Sequence, residues 1–422
     1  MSNQPSSLKG LVQSLGPGLI MAGAAIGVSH LVQSTRAGAS FGFALVWAIV
    51  LANIFKYPSF EFGPRYAAGT GKNLLHGYQK VGTWALAIYL LFTFCTMFIV
   101  EAALVVVTAG LTSQLFGITT NHLVWSGIIL LVCLLILMLG RYPLLDKLMK
   151  IMVVFLSIST LFAVIVLVVR GEHQLASAPP ATYLTPAGIA FIVALMGWMP
   201  SIVDISVWHS VWTIERAKET GHQPLLREAL FDFNLGYIST AILALLFLSL
   251  GALLMYNSGI EFSNSSAVFA GQLVELFRQS LGAWITPIIS VTALVTMFST
   301  TLTVTDAYPR VLTRALEITA PTTYQKVGET RSYFFIMLVL ITAGLLVVAF
   351  LAKGIKTMVD IATTVSFLTT PVLAYINHRV VTSPDMPTES APPRWLRLWS
   401  WLGIFFWAGF AVFFLYVRFG FR

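Results

Sequence analysis

The chain is a succession of long apolar runs separated by short polar loops. The runs cover 15–38, 41–67, 84–112, 122–140, 149–170, 186–212, 230–255, 280–308, 332–352, 356–378 and 396–418. Most approach the roughly 20 residues an α-helix needs to cross about 30 Å of hydrocarbon. Apolar positions are continuous within each run and do not alternate, so the pattern predicts helices and not the strands of a membrane barrel. The expected fold is an all-α polytopic membrane protein with about 11 transmembrane helices.

Composition agrees. Of 422 residues, 57% are hydrophobic and 10% charged, whereas a soluble domain carries about 25% charged residues. A mean hydropathy of +0.84 is beyond what one buried core supplies and calls for a bilayer as solvent. The net charge of +8 does not point to nucleic acid, because the basic residues sit in short loops and read as topology determinants. With the N-terminus in the cytoplasm, Lys9, Arg65, Lys72, Lys80, Arg141, Lys147, Lys150, Arg216, Lys218 and Arg227 fall inside, as do Arg310, Arg314, Lys326, Arg331, Arg379, Arg394 and Arg397. That is roughly 17 basic residues inside against about 7 outside. An odd span count puts the C-terminus outside.

The polar stretch Met1–Lys9 shows no cleavable signal, and a bacterial inner membrane is the expected location. Cys95 and Cys133 lie inside apolar runs, without metal-type spacing or a disulfide framework. The chain divides into a cytoplasmic tail 1–14, a ten-helix core 15–378, a proline-rich cytoplasmic linker 379–395 and an accessory eleventh helix 396–422.

Two spans carry helix-breaking residues. The first holds Gly16-Pro17-Gly18 and then Gly27-Val28-Ser29-His30, and the sixth holds Gly197-Trp198-Met199-Pro200-Ser201. Pro200 removes a backbone donor, and Gly27 lowers helix propensity in mid-span. Backbone groups freed inside hydrocarbon are tolerated only when protein buries them or a cavity takes them up. Interrupted spans five apart point to a transporter built from inverted repeats, spans 1–5 and 6–10, with its site where the two breaks meet. A plain proline kink and a packing glycine are the simpler alternative.

Gly16-Pro17-Gly18-Leu19-Ile20-Met21, followed by Arg36-Ala37-Gly38-Ala39-Ser40-Phe41-Gly42-Phe43, resembles the first span and loop of the Nramp (natural resistance-associated macrophage protein) divalent-metal transporters. Met199-Pro200 resembles the start of that family's Met-Pro-His motif. The resemblance extends over about ten spans and implies the LeuT-type fold and proton-linked uptake of manganese, iron and related ions, with metal and proton as substrates and no resident cofactor. The sequence departs from the family at the site itself. Gly27 stands where the family has the aspartate of Asp-Pro-Gly-Asn, His30 replaces the asparagine, and Ser201 replaces the histidine of Met-Pro-His. Glu101 falls where the family has an acid tied to proton transfer, and the family's second acid is Leu104 here. This marks a divergent branch.

The candidate binding set is therefore Gly27, His30, Met196, Met199, Ser201 and Asp204, with His30, Met199 and Asp204 as metal ligands. A thioether and an imidazole favour transition metals over magnesium and calcium. Asp204 restores a carboxylate that Gly27 lacks, or alternatively pairs with Arg216. Glu101, an intramembrane acid, is the candidate proton relay. Glu61 and Arg65, four apart, predict a helical ion pair. No phosphate loop, His-Glu-x-x-His or nucleophile elbow occurs, which excludes the common enzyme readings. Two other functions compete with metal transport: a same-fold carrier of an amino acid or amine, and a non-transporting membrane metal sensor.

Overall fold

The computed structural model describes residues 8–140, 142–171, 182–256, 261–351 and 354–419, with backbone only at 8–9, 142–150, 152–153 and 182. The extreme tail 1–7, Arg141 and 420–422 lie outside the described residues, as do the side chains of Lys9, Lys147 and Lys150.

No strand occurs among the described residues. In chain order the helices are α1 (Leu8–Ser14), α2 (Pro17–Ala25), a π-helical turn (Ser29–Ser34), α3 (Thr35–Phe41), α4 (Val46–Thr70), α5 (Leu74–Val81) and α6 (Thr83–Phe116). There follow α7 (His122–Met138), α8 (Tyr142–Arg170), α9 (Pro186–Gly197), α10 (Ile205–Thr220), α11 (Leu226–Leu254) and α12 (Ser266–Leu281). The remainder are α13 (Thr286–Thr319), α14 (Pro321–Val327), α15 (Glu329–Leu351), α16 (Ile355–Val381) and α17 (Arg394–Phe419).

Every expected apolar run carries a helix or a pair of half-helices. Six single helices, α6, α11, α13, α15, α16 and α17, are long and apolar enough to cross a membrane, and the first span, bent by 44° at its break, makes a seventh. The other expected spans fall short of that measure for local reasons. Lys56, Glu61 and Arg65 lower the hydropathy of α4, α7 has 17 residues, the fully described apolar part of α8, Val154–Arg170, is likewise below that length, and the sixth span is divided into α9 and α10.

The breaks fall where Gly27 and Pro200 predict them, at 26–28 and 198–204. Each broken span packs on the second span of the other half: α2 and α3 lie along α11, and α10 lies along α4. These crossings are tight because small residues face each other. A Cβ at Gly18 would overlap the Asp232 carbonyl, one at Gly236 the Gly18 carbonyl, one at Gly38 the Leu248 carbonyl and one at Gly251 the Thr35 carbonyl. This exchange of partners is what two inverted repeats interlocked through their first and second helices produce.

The last helix is held firmly. α17 packs on α4 and α16, with Phe406 stacked on Phe55 at 4.3 Å and Trp399 on Tyr57 at 5.0 Å. The predicted Glu61–Arg65 pair forms at 2.6 Å, and Arg65 also donates to the Ser390 carbonyl at 2.9 Å, which fastens the linker after α16 to α4.

Candidate functional site

Ending a helix inside the bundle frees carbonyls and N–H groups that must find partners. At the first break the Ala25 carbonyl accepts from Ser29 Oγ at 2.5 Å, and His30, just after the break, reaches across to α11, its Nε2–H donating to the Thr240 carbonyl at 2.9 Å. Its Nδ1 lies 2.7 Å from Ser29 Oγ and 2.9 Å from the Ala25 carbonyl. At the sixth-span break the partner comes from α4: Lys56 Nζ donates to the carbonyls of Met196, Gly197 and Ser201 at 2.9, 2.7 and 3.1 Å. Each break is thus bridged by a basic side chain to the neighbouring half of the fold.

Between the two breaks lies a cavity of about 20 Å³, room for one water or one small ion. Ala24, Ala25, Val28 and Ser29 wall it on one side, and Trp198, Ser201 and Ile202 on the other. Val100 and Leu104 of α6, Val304 of α13, and Ile205 and Trp208 of α10 complete it. Ser29 Oγ lies 3.3 Å from the Pro200 carbonyl, so the two breaks touch directly. The cavity-lining residues offer the hydroxyls of Ser29 and Ser201 and the indole N–H of Trp208, which has no partner among the described residues; Trp198 Nε1 is already committed to Ser366 Oγ at 2.8 Å.

Of the residues expected at the site, Ser201 lines this cavity. Gly27 stands behind it, pressed on α13: a Cβ there would come within 2.7 Å of Thr300 Cγ2, so no carboxylate fits unless Thr300 gives way. Met196 and Met199 are fully buried in the apolar cluster that holds Ile49, Phe367 and Trp407. Both ring nitrogens of His30 are occupied as described. Asp204 is buried, and its Oδ1 has no hydrogen-bond partner among the described residues. Arg216, the alternative partner for Asp204, pairs instead with Glu219 at 3.1 Å and donates to the Gln13 carbonyl at 3.1 Å. None of His30, Met199 and Asp204 lines this cavity, and among the described residues no group of three His, Cys, Asp or Glu side chains is placed to hold a metal.

Glu101 is fully buried next to the cavity-lining Val100. Its Oε1 accepts from Thr305 Oγ1 at 2.6 Å, and Oε2 has no partner among the described residues. Thr300 donates to the Gly23 carbonyl at 2.9 Å, and Thr301 meets Thr108 at 2.8 Å, so these two hydroxyls of α13 tie it to α2 and α6.

Polar contacts tie the helices together on either side of the cavity. At the end carrying α1, the Asp232 carboxylate accepts from the N–H groups of Gly16, at 3.0 Å, and Gly18, and Ser14 donates to Glu228 at 3.2 Å. A carboxylate at the start of α2 is well placed against the helix dipole. At the opposite end Arg36 of α3 pairs with Asp360 of α16 at 2.8 Å. Sequence reading passed over Lys56, Asp232 and Asp360. For Lys56 the signal was available, since an ionisable residue in an apolar run is a functional candidate by default.

The family model described as natural resistance-associated macrophage protein-like matches residues 18–417. The chain belongs to the Nramp family. An uncharacterized protein of Pasteurella multocida is 35% identical to this Nramp-like chain over 411 residues, covering 95% of the chain and 92% of the relative. Among solved structures, the manganese transporter of Eremococcus coleocola superposes with a TM-score of 0.72 at 14% identity, covering 98% of the chain and 88% of that one. MhsT, solved with L-phenylalanine, gives 0.62 at 15% identity, covering 99% and 100%. The LeuT-type fold expected of the Nramp-like chain is therefore present, and at these identities the superpositions speak to fold alone.

Proposed function

We propose that this chain is a secondary transporter that moves a divalent metal ion across a membrane together with a proton. The observation that carries the reading is the cavity of about 20 Å³ where both helix breaks meet, sized for a single ion. Family membership supports it, as does the fold shared with the manganese transporter of Eremococcus coleocola. The donors at hand are the hydroxyls of Ser29 and Ser201 and the Pro200 carbonyl beside Ser29. Oxygen ligands of this kind suit harder ions such as manganese or magnesium better than soft ones.

Asp204 supplies the carboxylate that the ion meets on leaving the cavity towards α5, and Glu101 carries the proton. Opening would alternate between the Asp232 contacts and the Arg36–Asp360 pair, as a rocking of one bundle against the other requires. Loop charge supports an N-terminus on the cytoplasmic face of a bacterial inner membrane. On this reading 15–378 is the transport core, 379–395 a cytoplasmic linker, and the C-terminus lies outside.

The apolar walls of the cavity favour a second reading, an organic solute such as an amino acid or amine. MhsT, with L-phenylalanine, has the same fold. The small free volume weighs against it in this conformation.

Uptake into proteoliposomes decides. Mn²⁺, Fe²⁺, Zn²⁺, Ni²⁺ and Mg²⁺ are offered with and without an inward proton gradient. Saturable uptake of one or more ions, raised by the gradient, is expected. Folded protein that moves none of them, but accumulates an amino acid or amine, overturns the metal reading.

A further inference from the structure

The Lys56 side chain is fully buried in the middle of α4. An ammonium carries three N–H donors and no acceptor, and here each donor has a carbonyl: Met196, Gly197 and Ser201. Two of these are the last carbonyls of α9, the negative end of its dipole, and the third lies across the break. Among the described residues its hydrogen bonds all go to backbone carbonyls and none to a carboxylate. The face of Trp407 on α17 lies 5.1 Å from Nζ and adds cation–π attraction. Three convergent carbonyls at 2.7 to 3.1 Å, a helix C-terminus and an aromatic face make a binding site for a monovalent cation.

We propose that Lys56 is a tethered cation that permanently occupies a monovalent-cation site at the break of the sixth span, so that this break is held without an ion drawn from solution. The site is separate from the substrate cavity, where Ser201 contributes its side of the wall while its carbonyl faces Lys56. It also gives α17 a function, since Trp407 reaches the break across α4. Lys56 in this role belongs to the scaffold of the break, whichever substrate is carried.

The test uses full-length purified protein and its thermal unfolding in sodium, potassium or choline chloride at equal ionic strength. Lys56→Ala removes the ammonium and leaves the carbonyls facing an empty space. Its unfolding temperature should be lowest in choline chloride and rise by about 2 °C or more in sodium or potassium as the ion refills the site. Wild type should be indifferent to the salt. Lys56→Met fills the space with an apolar chain and should be destabilised equally in all three.

A Lys56→Ala protein equally stable in all three salts overturns the proposal. If Lys56→Ala is recovered only in sodium or potassium, the proposal is supported. If it is recovered in no salt, Lys56→Gln decides: a neutral glutamine as stable as wild type in choline chloride means that charge is not required, and the proposal fails. A Lys56→Gln protein that also needs sodium or potassium upholds it.

Discussion

Arg36 on α3 holds Asp360 on α16 through both terminal guanidinium nitrogens, at 2.8 and 3.2 Å, and Gln33 reaches the same carboxylate at 3.1 Å. The pair ties the second half of the first span to the tenth span at the end of the bundle that carries α12.

The Arg36 side chain is 11% exposed and that of Asp360 38%, so solvent screens the pair and its net contribution to stability is about 1 kcal/mol or less. Asp360→Asn should therefore leave the unfolding temperature nearly unchanged while loosening this end. With the exposed Cys95 replaced by alanine, a reporter Ser29→Cys in the cavity wall should react several-fold faster with an impermeant thiol reagent when Asp360→Asn is added. An unchanged labelling rate would mean that the pair is not a closure.

Gly27 and Thr300 form a second checkable contact. Restoring the family's aspartate at Gly27 drives a side chain into Thr300, and overpacking of this kind costs about 1–3 kcal/mol. Gly27→Asp alone should unfold at a lower temperature than wild type. The double variant with Thr300→Ala should recover stability and bind Mn²⁺ more tightly by calorimetry. A single variant as stable as wild type would show that the crowding is not limiting.

Asp232 caps the start of α2 through two backbone N–H groups. Hydrogen bonds to a charged group contribute about 1.5–3 kcal/mol. Asp232→Asn, which keeps the shape but loses the charge, should lower stability by part of that amount and open the end carrying α1 to thiol labelling. Labelling from that end at the wild-type rate would remove Asp232 from the closure.

The two buried carboxyls should separate by phenotype. Glu101→Gln should retain metal uptake but lose its response to an inward proton gradient. Asp204→Asn should lose uptake at least about tenfold, the scale of one lost charge–ligand contact, with unfolding unchanged. A Glu101→Gln protein that still follows the gradient would leave proton transfer to another group.

Periodicity and charge were enough to place the helices. Apolar runs of bilayer length must be helical, because hydrocarbon offers no other partner for backbone polar groups. Gly27 and Pro200 marked both breaks for the same reason, since each weakens a helix locally. Glu101, His30 and Asp204 stood out as costly groups in apolar runs.

What each of those groups touches was set by the tertiary structure. His30 turns to the Thr240 carbonyl of α11, Met199 sinks into the cluster around Phe367 and Trp407, and Lys56 crosses to a break about 140 residues away in sequence. Freed carbonyls must be paired, but sequence does not say which of several buried donors will reach them. That choice follows from how the interlocked halves cross at Gly18 and Gly236, a long-range packing relation that no local pattern of residues encodes.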